Sequence, residues 1–130
     1  MLQDLCEHTG SGAPAVFLVC GPKNVGKSAF SRLLCNRLLH HKPPGGVGFL
    51  EGDCGQPEVG PPGFVSLTCL RQPLLMPATM STLRTDRAVF VGDTTAESNP
   101  VFFVRAIAQL AHAHRSQASP GEQQTERAFR

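Results

Sequence analysis

A glycine-rich stretch near the start of the chain, GPKNVGKS at residues 21–28, constrains the fold more than any other feature of the sequence. It matches the pattern G-x-x-x-x-G-K-[ST] at every fixed position. An apolar run at residues 15–20 precedes it, and an amphipathic pattern at residues 27–41 follows it. A strand that passes through such a loop into a helix is the context in which the pattern has structural meaning. The sequence therefore predicts an α/β unit built around this loop.

The loop has the features of a phosphate-binding site. The residues between its two glycines let successive backbone N–H groups point inward, and the positive end of the following helix also attracts an anion. Lys27 can reach the β- and γ-phosphates of a nucleotide, and the Ser28 hydroxyl is placed to coordinate Mg²⁺. A turn that only joins a strand to a helix is the alternative, and the lysine, the serine and both flanking elements disfavour it. The predicted nucleotide-binding residues are Gly21, Pro22, Lys23, Asn24, Val25, Gly26, Lys27, Ser28 and Ala29.

Apolar periodicity predicts the elements around the loop. Residues 15–20 form a continuous apolar run that is typical of a buried parallel strand. Residues 27–41 predict an amphipathic helix that ends at a Pro-Pro-Gly-Gly turn. The apolar face of this helix is predicted to contain Phe30, Leu33, Leu34 and Leu38. Further strands are predicted at residues 47–51, 64–70 and 88–91.

The last helix is the best capped, because Asn99 can cap it and Pro100 fits its first position. Its apolar face is predicted to contain Phe103, Ile107, Leu110 and His114. Strands that alternate with helices predict an α/β fold with a mainly parallel sheet and flanking helices. We expect a helix end or linker at residues 1–12, a core at 13–114, and a disordered tail at 115–130, which has little to bury.

Charge and composition narrow the class of protein. The net charge of +2, with basic residues scattered along the chain, does not by itself indicate a nucleic-acid partner. Five cysteines without a C-x-x-C pair are typical of free thiols in a reducing compartment, the cytosol or the nucleus. The longest apolar run is too short to span a bilayer, and the N-terminus lacks the charged lead of a secretory signal. We therefore expect a soluble intracellular protein.

A second unusual segment, EGDCGQPEVGPPG at residues 51–63, follows the strand predicted at residues 47–51. Ligands of open α/β sheets bind at the carboxyl ends of the strands, so Asp53 is a candidate for the Mg²⁺ shell or for accepting a proton from an attacking hydroxyl. Gln56 offers donors and an acceptor beside it, and could orient a water or a substrate hydroxyl. Glu51 is expected to be solvated, and a supporting role at the site is the weaker alternative.

Four motifs occur in a fixed order along the chain: the phosphate loop, the Glu-Gly-Asp-Cys-Gly-Gln-Pro-Glu segment, the Gly-Pro-Pro-Gly turn before Phe64, and a Gly-Asp-Thr before an Asn-Pro-initiated helix. Together they resemble the polynucleotide 5′-hydroxyl kinases of RNA processing, a P-loop NTPase-type family. The resemblance is greatest to the nucleolar members that act in pre-ribosomal RNA maturation. It extends from about Leu5 to His114.

The resemblance implies transfer of the γ-phosphate of ATP to the 5′-hydroxyl end of an RNA. It implies catalytic roles for Lys27, Asp53 and Gln56, and a Mg²⁺ ion held by Ser28 and Asp53. It also implies localisation in the nucleus, specifically in the nucleolus. The implied partner is an endonuclease of ribosomal RNA processing. Thr94 and Thr95 follow a strand end, where their hydroxyls either face phosphate oxygens or cap the loop.

The chain also departs from the family pattern. Family members continue with further strands and with a lid that carries arginines, so we expect this fold to be incomplete relative to the family. Arg84, Arg87 and Arg105 cannot be assigned the lid's role from sequence. Two alternatives therefore stay open: an ATP-binding or interaction fragment without turnover, and a P-loop kinase of small molecules.

Two other classes of function lack their motifs. A GTPase requires an Asn-Lys-x-Asp guanine-reading motif, and the sequence contains none. The pairs His40 with His41 and His112 with His114 have no cysteine or carboxylate at ligand spacing, so we expect them to be structural or solvated rather than zinc ligands.

Overall fold

The computed structural model describes residues 15–41, 45–75 and 83–118. The elements in these ranges are the helix α1 (Lys27–His40), the strands β1 (Val47–Glu51), β2 (Phe64–Leu70) and β3 (Arg87–Phe90), a 3₁₀ helix (Ala96–Ser98), and the helix α2 (Pro100–Ala118). The predicted helix end at residues 1–12 and the tail beyond residue 118 lie outside the described residues. No helix in the described part of the chain is both long and apolar enough to cross a membrane.

The three described strands form one sheet in the order β1-β2-β3, and both pairings are antiparallel. In this register Glu51 at the end of β1 lies opposite Ser66 of β2, which in turn lies opposite Ala88 of β3. The prediction of a mainly parallel sheet is therefore not confirmed. Parallel neighbours need a long crossover that usually contains a helix, and the connection at residues 52–63 contains none.

The prediction of a buried strand at residues 15–20 is wrong, because these residues form no strand and none of them is buried. Val16 is 77% exposed and Leu18 is 86% exposed. An apolar run becomes a buried strand only where a neighbouring strand accepts its backbone hydrogen bonds. Among the described residues, all the strand pairing is between β1, β2 and β3, so this segment has no strand partner.

The sheet lies between the two helices, with one hydrophobic core on each face. Alternation along β2 places Val65 and Leu67 on one face and Leu70 on the other. The α2-side core contains Cys54, Val65, Leu67, Ala106 and Leu110. The α1-side core contains Cys35, Val59, Leu70 and Leu74.

Both helices form where the apolar pattern predicts them. In α2 the Asn99 side chain accepts a hydrogen bond from the Phe102 N–H at 3.1 Å, as the predicted cap requires. The helix continues to Ala118, four residues beyond the predicted boundary at residue 114. In α1 the buried residues are Leu34 and Cys35. Phe30 and Leu33 are exposed, so the buried face of this helix is rotated from the predicted one.

Candidate phosphate-transfer site

The backbone of the phosphate loop adopts conformations that suit its sequence. Gly26 has a φ of 87° and Asn24 has a φ of 63°, both in the left-handed region that glycine and asparagine tolerate best. Gly26 ends the loop and precedes α1, and its carbonyl accepts the Phe30 N–H at 2.9 Å. No side chain caps α1, so the N–H groups of its first turn remain available to an anion.

The Lys27 side chain folds back over the loop. Its ammonium donates a hydrogen bond to the Pro22 carbonyl oxygen at 2.7 Å. A bound phosphate oxygen would compete with that carbonyl for the ammonium protons, because both are acceptors within its reach. The contact holds the charge of Lys27 against the backbone of the loop.

A cleft of about 380 Å³ opens beside the loop. Its lining is apolar apart from Lys27 and backbone groups. The lining residues are Leu18, Val19, Cys20, Val25, Gly26, Lys27 and Phe30. The exposure of Leu18 and the unpaired state of residues 15–20 leave this side of the loop open.

Asp53 lies in the loop that follows β1, and its side chain shapes that loop. One carboxylate oxygen, Oδ1, accepts hydrogen bonds from the backbone N–H groups of Gly55 and Gln56, both at 2.9 Å. Asp53 and Gln56 are therefore brought together through the backbone of Gln56, while the Gln56 side chain is exposed. Among the described residues, Oδ2 of Asp53 has no hydrogen-bond partner, so it is available to a substrate or a cation.

Glu51, the last residue of β1, is more buried than its sequence position predicts. It is only 7% exposed, whereas a solvated side chain was expected. Its Oε1 accepts the Asp53 N–H at 3.0 Å, and its Oε2 accepts the Glu58 N–H at 2.8 Å. Burial raises the pKa of the Glu51 carboxyl above its ordinary value of 4.5, while these two hydrogen bonds act in the opposite direction.

Strand periodicity could have revealed that Glu51 is buried. Residues 47, 49 and 51 lie on the same face of β1, and Val47 and Phe49 pack against the α1-side core. A carboxylate in line with two core residues at a strand end must find hydrogen-bond donors when it is buried. The adjacent loop supplies those donors.

Arg32 connects α1 to the same loop. Its Nη2 lies 2.9 Å from Oε1 and 2.8 Å from Oε2 of Glu58. The pair is partly shielded from water, with 32% of the Arg32 side chain and 14% of the Glu58 side chain exposed. This ion pair joins the helix that begins at the phosphate loop to the loop that contains Asp53.

A third loop, after β3, packs against the Asp53 loop. A Cβ atom added to Gly55 would lie 2.9 Å from the Thr94 carbonyl oxygen, so the two backbones are in close contact. Asp93 Oδ1 accepts the N–H groups of Thr94 at 2.6 Å and Thr95 at 3.3 Å, and its Oδ2 accepts the Ser98 hydroxyl. The hydrogen bond from Ser98, followed by that from Thr94, lowers the pKa of Asp93.

The Thr95 hydroxyl caps the 3₁₀ helix, since its Oγ1 accepts the Glu97 N–H at 3.2 Å. Of the two roles considered for Thr95, capping is the one seen in the structure. The histidines pack against other protein groups. The rings of His40 and His41 pack edge to face, and the His114 ring covers Gly48 of β1. In the described ranges, no three His, Cys, Asp or Glu residues are grouped so that they could hold a metal ion.

The predicted site residues therefore fall into two groups, the phosphate loop at residues 21–29 and the pair Asp53 and Gln56. Within the described part of the chain, no hydrogen bond or ion pair joins Lys27 or Ser28 directly to Asp53. The link between the groups is the Arg32–Glu58 ion pair. A serine hydroxyl and a free carboxylate oxygen are ligands of the kind that Mg²⁺ prefers, so Ser28 and Asp53 fit this ion by their chemistry.

Comparison with known proteins assigns the family. A family model described as the P-loop of the mRNA cleavage and polyadenylation factor CLP1 matches residues 21–129. The chain belongs to the CLP1 P-loop family. The match begins at Gly21, the first residue of the phosphate loop, and includes the loops that contain Asp53 and Asp93. Membership of the CLP1 P-loop family agrees with the P-loop NTPase-type α/β fold that the sequence predicts.

Several curated relatives share the name polynucleotide 5′-hydroxyl-kinase NOL9. The chain is 37% identical to the Dictyostelium discoideum protein over 111 residues, which are 85% of this chain and 15% of that protein. It is 40% identical to the Arabidopsis thaliana protein over 99 residues, 75% of this chain and 26% of that protein. For the Homo sapiens protein the identity is 34% over 113 residues, 87% of this chain and 16% of that protein. The chain thus spans about a quarter or less of the length of these relatives.

Proposed function

We propose that this chain is the nucleotide-binding core of a polynucleotide 5′-hydroxyl kinase and transfers the γ-phosphate of ATP to the 5′-hydroxyl of RNA. The observation that carries the proposal is the connection of two loops. The phosphate loop leads into the uncapped start of α1, and Arg32 of the same helix binds the loop in which Asp53 keeps one carboxylate oxygen free. Relatives named polynucleotide 5′-hydroxyl-kinase support a polynucleotide 5′-hydroxyl as the acceptor, and RNA is chosen from the family resemblance.

The proposed roles follow from the atoms available. The loop N–H groups and the Lys27 ammonium bind the phosphates, and Lys27 exchanges the Pro22 carbonyl for a phosphate oxygen. Asp53 Oδ2 orients the 5′-hydroxyl and accepts its proton as its oxygen attacks the γ-phosphorus, in line with the departing ADP oxygen. Gln56 lies beside Asp53, since its backbone N–H binds Asp53 Oδ1, and its exposed side-chain amide orients the same hydroxyl.

A magnesium ion fits the proposal through the donors that the chain offers. Ser28 would hold it, and Asp53 Oδ2 would either join Ser28 as a ligand or accept the proton of the hydroxyl, since Oδ1 is already bonded to Gly55 and Gln56. The ion would neutralise charge on the β- and γ-phosphates. The family resemblance further suggests ribosomal RNA processing, a nucleolar place and a processing endonuclease as partner. We propose this process, location and partner together with the activity.

Transfer of labelled phosphate tests the proposal directly. The 130-residue chain is incubated with γ-labelled ATP, Mg²⁺ and an RNA oligonucleotide with a 5′-hydroxyl end, beside the variants Lys27→Ala and Asp53→Asn. We expect both variants to lose transfer, and Lys42→Ala, which removes a lysine outside the loop, to retain it. Transfer that persists in Lys27→Ala would refute the assignment of the loop.

A second candidate function, nucleotide binding without turnover, is favoured by one observation. Phosphoryl transfer gains about three to five orders of magnitude in rate from an arginine that reaches the transferring group. Among the described residues, no arginine forms a hydrogen bond or ion pair with the phosphate loop, and Arg32 is bound to Glu58. Binding of ADP and Mg²⁺ without multiple turnover would favour this candidate.

The acceptor can be tested separately from the transfer. If the chain is instead a small-molecule kinase, candidate metabolites will compete with RNA for the labelled phosphate. A 5′-hydroxyl DNA oligonucleotide of the same sequence is the matched control for the sugar. We expect RNA to be the preferred acceptor of the three.

A further inference from the structure

Three side chains form a continuous chain of contacts between α1 and Asp53. Arg32 binds both carboxylate oxygens of Glu58 at 2.8 and 2.9 Å. The Glu58 backbone N–H donates to Glu51 at 2.8 Å, and the other oxygen of Glu51 accepts the Asp53 N–H at 3.0 Å. Each contact is a direct hydrogen bond, and Glu58 joins the first two because it uses its side chain for one and its backbone N–H for the other.

The position of Arg32 on α1 relates this chain of contacts to Ser28 of the phosphate loop. Arg32 follows Ser28 by four residues, so both side chains lie on the same face of the helix, one turn apart. The helix rises about 1.5 Å per residue, which places the Arg32 backbone about 6 Å further along the axis than that of Ser28. The ion pair therefore anchors the Asp53 loop beside the face of α1 that contains Ser28.

Glu51 fixes the loop from the opposite side. As the last residue of β1 it is held by the sheet, opposite Ser66 of β2. Its two oxygens bind N–H groups at both ends of the segment between Asp53 and Glu58, which closes that segment into a compact turn. Inside the turn, Gly55 and Gln56 bind Asp53 Oδ1, and this leaves only Oδ2 free. The direction of Oδ2 is thus determined by the sheet and by α1 together.

We propose that Arg32, Glu58 and Glu51 are positioning residues for phosphoryl transfer, which hold Asp53 Oδ2 in a constant place relative to the phosphate loop. This inference rests on the proposed role of Asp53. None of the three needs to touch a substrate. Their contribution is orientation, and orientation of a reacting hydroxyl has a large effect on rate.

The kinetic test removes the ion pair while keeping the helix surface. Arg32→Met retains the apolar stem of the side chain, and Glu58→Gln removes the same pair from the loop. We expect either variant to lower kcat for transfer to the RNA oligonucleotide by about tenfold to a hundredfold, with little change in the KM for ATP. Arg37→Met removes a guanidinium from the same helix, one that has no ion pair with a described residue, and is expected to match the unmodified chain.

Exchange of the two charges distinguishes a positioning role from a general contribution of these residues to the folded structure. The double variant with Arg32→Glu and Glu58→Arg can rebuild the ion pair in reverse, and we expect it to recover part of the lost kcat. A double variant no better than Arg32→Met, or a loss that appears in the KM for ATP alone, would overturn the proposal.

Hydrogen exchange provides a second measurement that needs no activity. In ¹⁵N-labelled chain, the amides of Gly55 and Gln56 report the bonds to Asp53, and the amide of Glu58 reports the bond to Glu51. We expect these three amides to exchange faster in Arg32→Met, while amides of β2 keep their rates. Unchanged exchange at all three would refute the positioning role, even in a chain that transfers no phosphate. Absence of transfer together with faster exchange would instead count against the proposed function alone.

Discussion

Replacement of Gly55 by alanine tests the contact between the loops that follow β1 and β3. The new Cβ atom would lie 2.9 Å from the Thr94 carbonyl oxygen, whereas ordinary contacts begin at 3.4 Å. The two loops must therefore separate by about 0.5 Å, the difference between these two distances. The obstacle is backbone rather than the end of a flexible side chain, so it cannot move aside by a rotamer change.

The expected loss of stability follows from two opposing contributions. Overpacking of a tight contact costs about 1–3 kcal/mol. Replacement of glycine by alanine also stabilises by about 0.4–1 kcal/mol, because the unfolded chain loses conformational freedom. The net expectation for Gly55→Ala is a decrease of about 1–2 kcal/mol in the free energy of unfolding.

Gly52→Ala is the matched control in the same loop. Its Cβ atom would meet Ile107 Cδ1 at 3.6 Å, an ordinary contact, so only the stabilising contribution applies. The two variants should then differ by about 2 kcal/mol, which corresponds to about 7 °C in Tm at an unfolding entropy of about 2.1 cal/mol/K per residue. Urea unfolding followed by far-ultraviolet circular dichroism is the suitable assay, because the sequence has no tryptophan and no tyrosine to report by fluorescence.

The outcome is unambiguous in either direction. A Gly55→Ala chain at least as stable as Gly52→Ala would show that the two loops are not in the close contact described here. If the expected difference is found, phosphate transfer by Gly55→Ala should also fall, since the turn that holds Asp53 contains Gly55.

Three further predictions concern pH, thiol reactivity and the core. The raised pKa of Glu51 means that the folded chain binds this proton more tightly than the unfolded chain, so the free energy of unfolding should fall as pH rises from about 4.5 through the raised pKa. Glu51→Gln should flatten that decrease in urea titrations over the same range. Burial raises the pKa of Cys35 from 9.0 to about 11, so with the other cysteines replaced by serine its thiol should react with a disulfide reagent about a hundredfold more slowly when folded than when unfolded in urea; equal rates would contradict this. Leu70 has 0% exposure, and Leu70→Ala should cost about 2–5 kcal/mol, against less than about 1 kcal/mol for Leu33→Ala at the exposed face of α1; similar losses would refute the core assignment.

Local sequence patterns predicted the elements well. The strands Val47–Glu51 and Phe64–Leu70 have the predicted bounds, and each follows a glycine with positive φ, Gly46 or Gly63. Such glycines interrupt a strand ladder for reasons that are local to the backbone. The cap at Asn99 is equally local, which explains why the start of α2 agrees with its prediction.

Non-local pairing was not predictable in the same way. The direction of β2 relative to β1 depends on whether the connection can cross over the sheet, and an apolar strand pattern contains no such information. The run at residues 15–20 has the composition of a buried strand, but burial requires a neighbour that the pattern cannot identify. Strand composition therefore predicts that a segment can pair, and topology decides whether it does.

The candidate site shows the same division. The phosphate loop and Asp53 could be named from motifs. Glu51 and Glu58 begin and end the motif that contains Asp53, but the motif does not show what they contact, and Arg32 lies in no motif. Arg32 and Glu58 are 26 residues apart in sequence, and only the packing of α1 against the sheet brings them together. The Arg32–Glu58 contact could therefore be identified only from the structure, whereas the burial of Glu51 could be inferred from strand periodicity.

The contact between Lys27 and the Pro22 carbonyl has a consequence for ligand choice. The ammonium already has an acceptor in the free chain, so an incoming anion exchanges one acceptor for another and the loop needs little rearrangement. If the loop binds phosphates as proposed, a di- or triphosphate would present oxygens both to Lys27 and to the N–H groups at the uncapped start of α1. We therefore expect the loop to bind the longer anion more tightly than a single phosphate, before the base or sugar of a nucleotide is recognised.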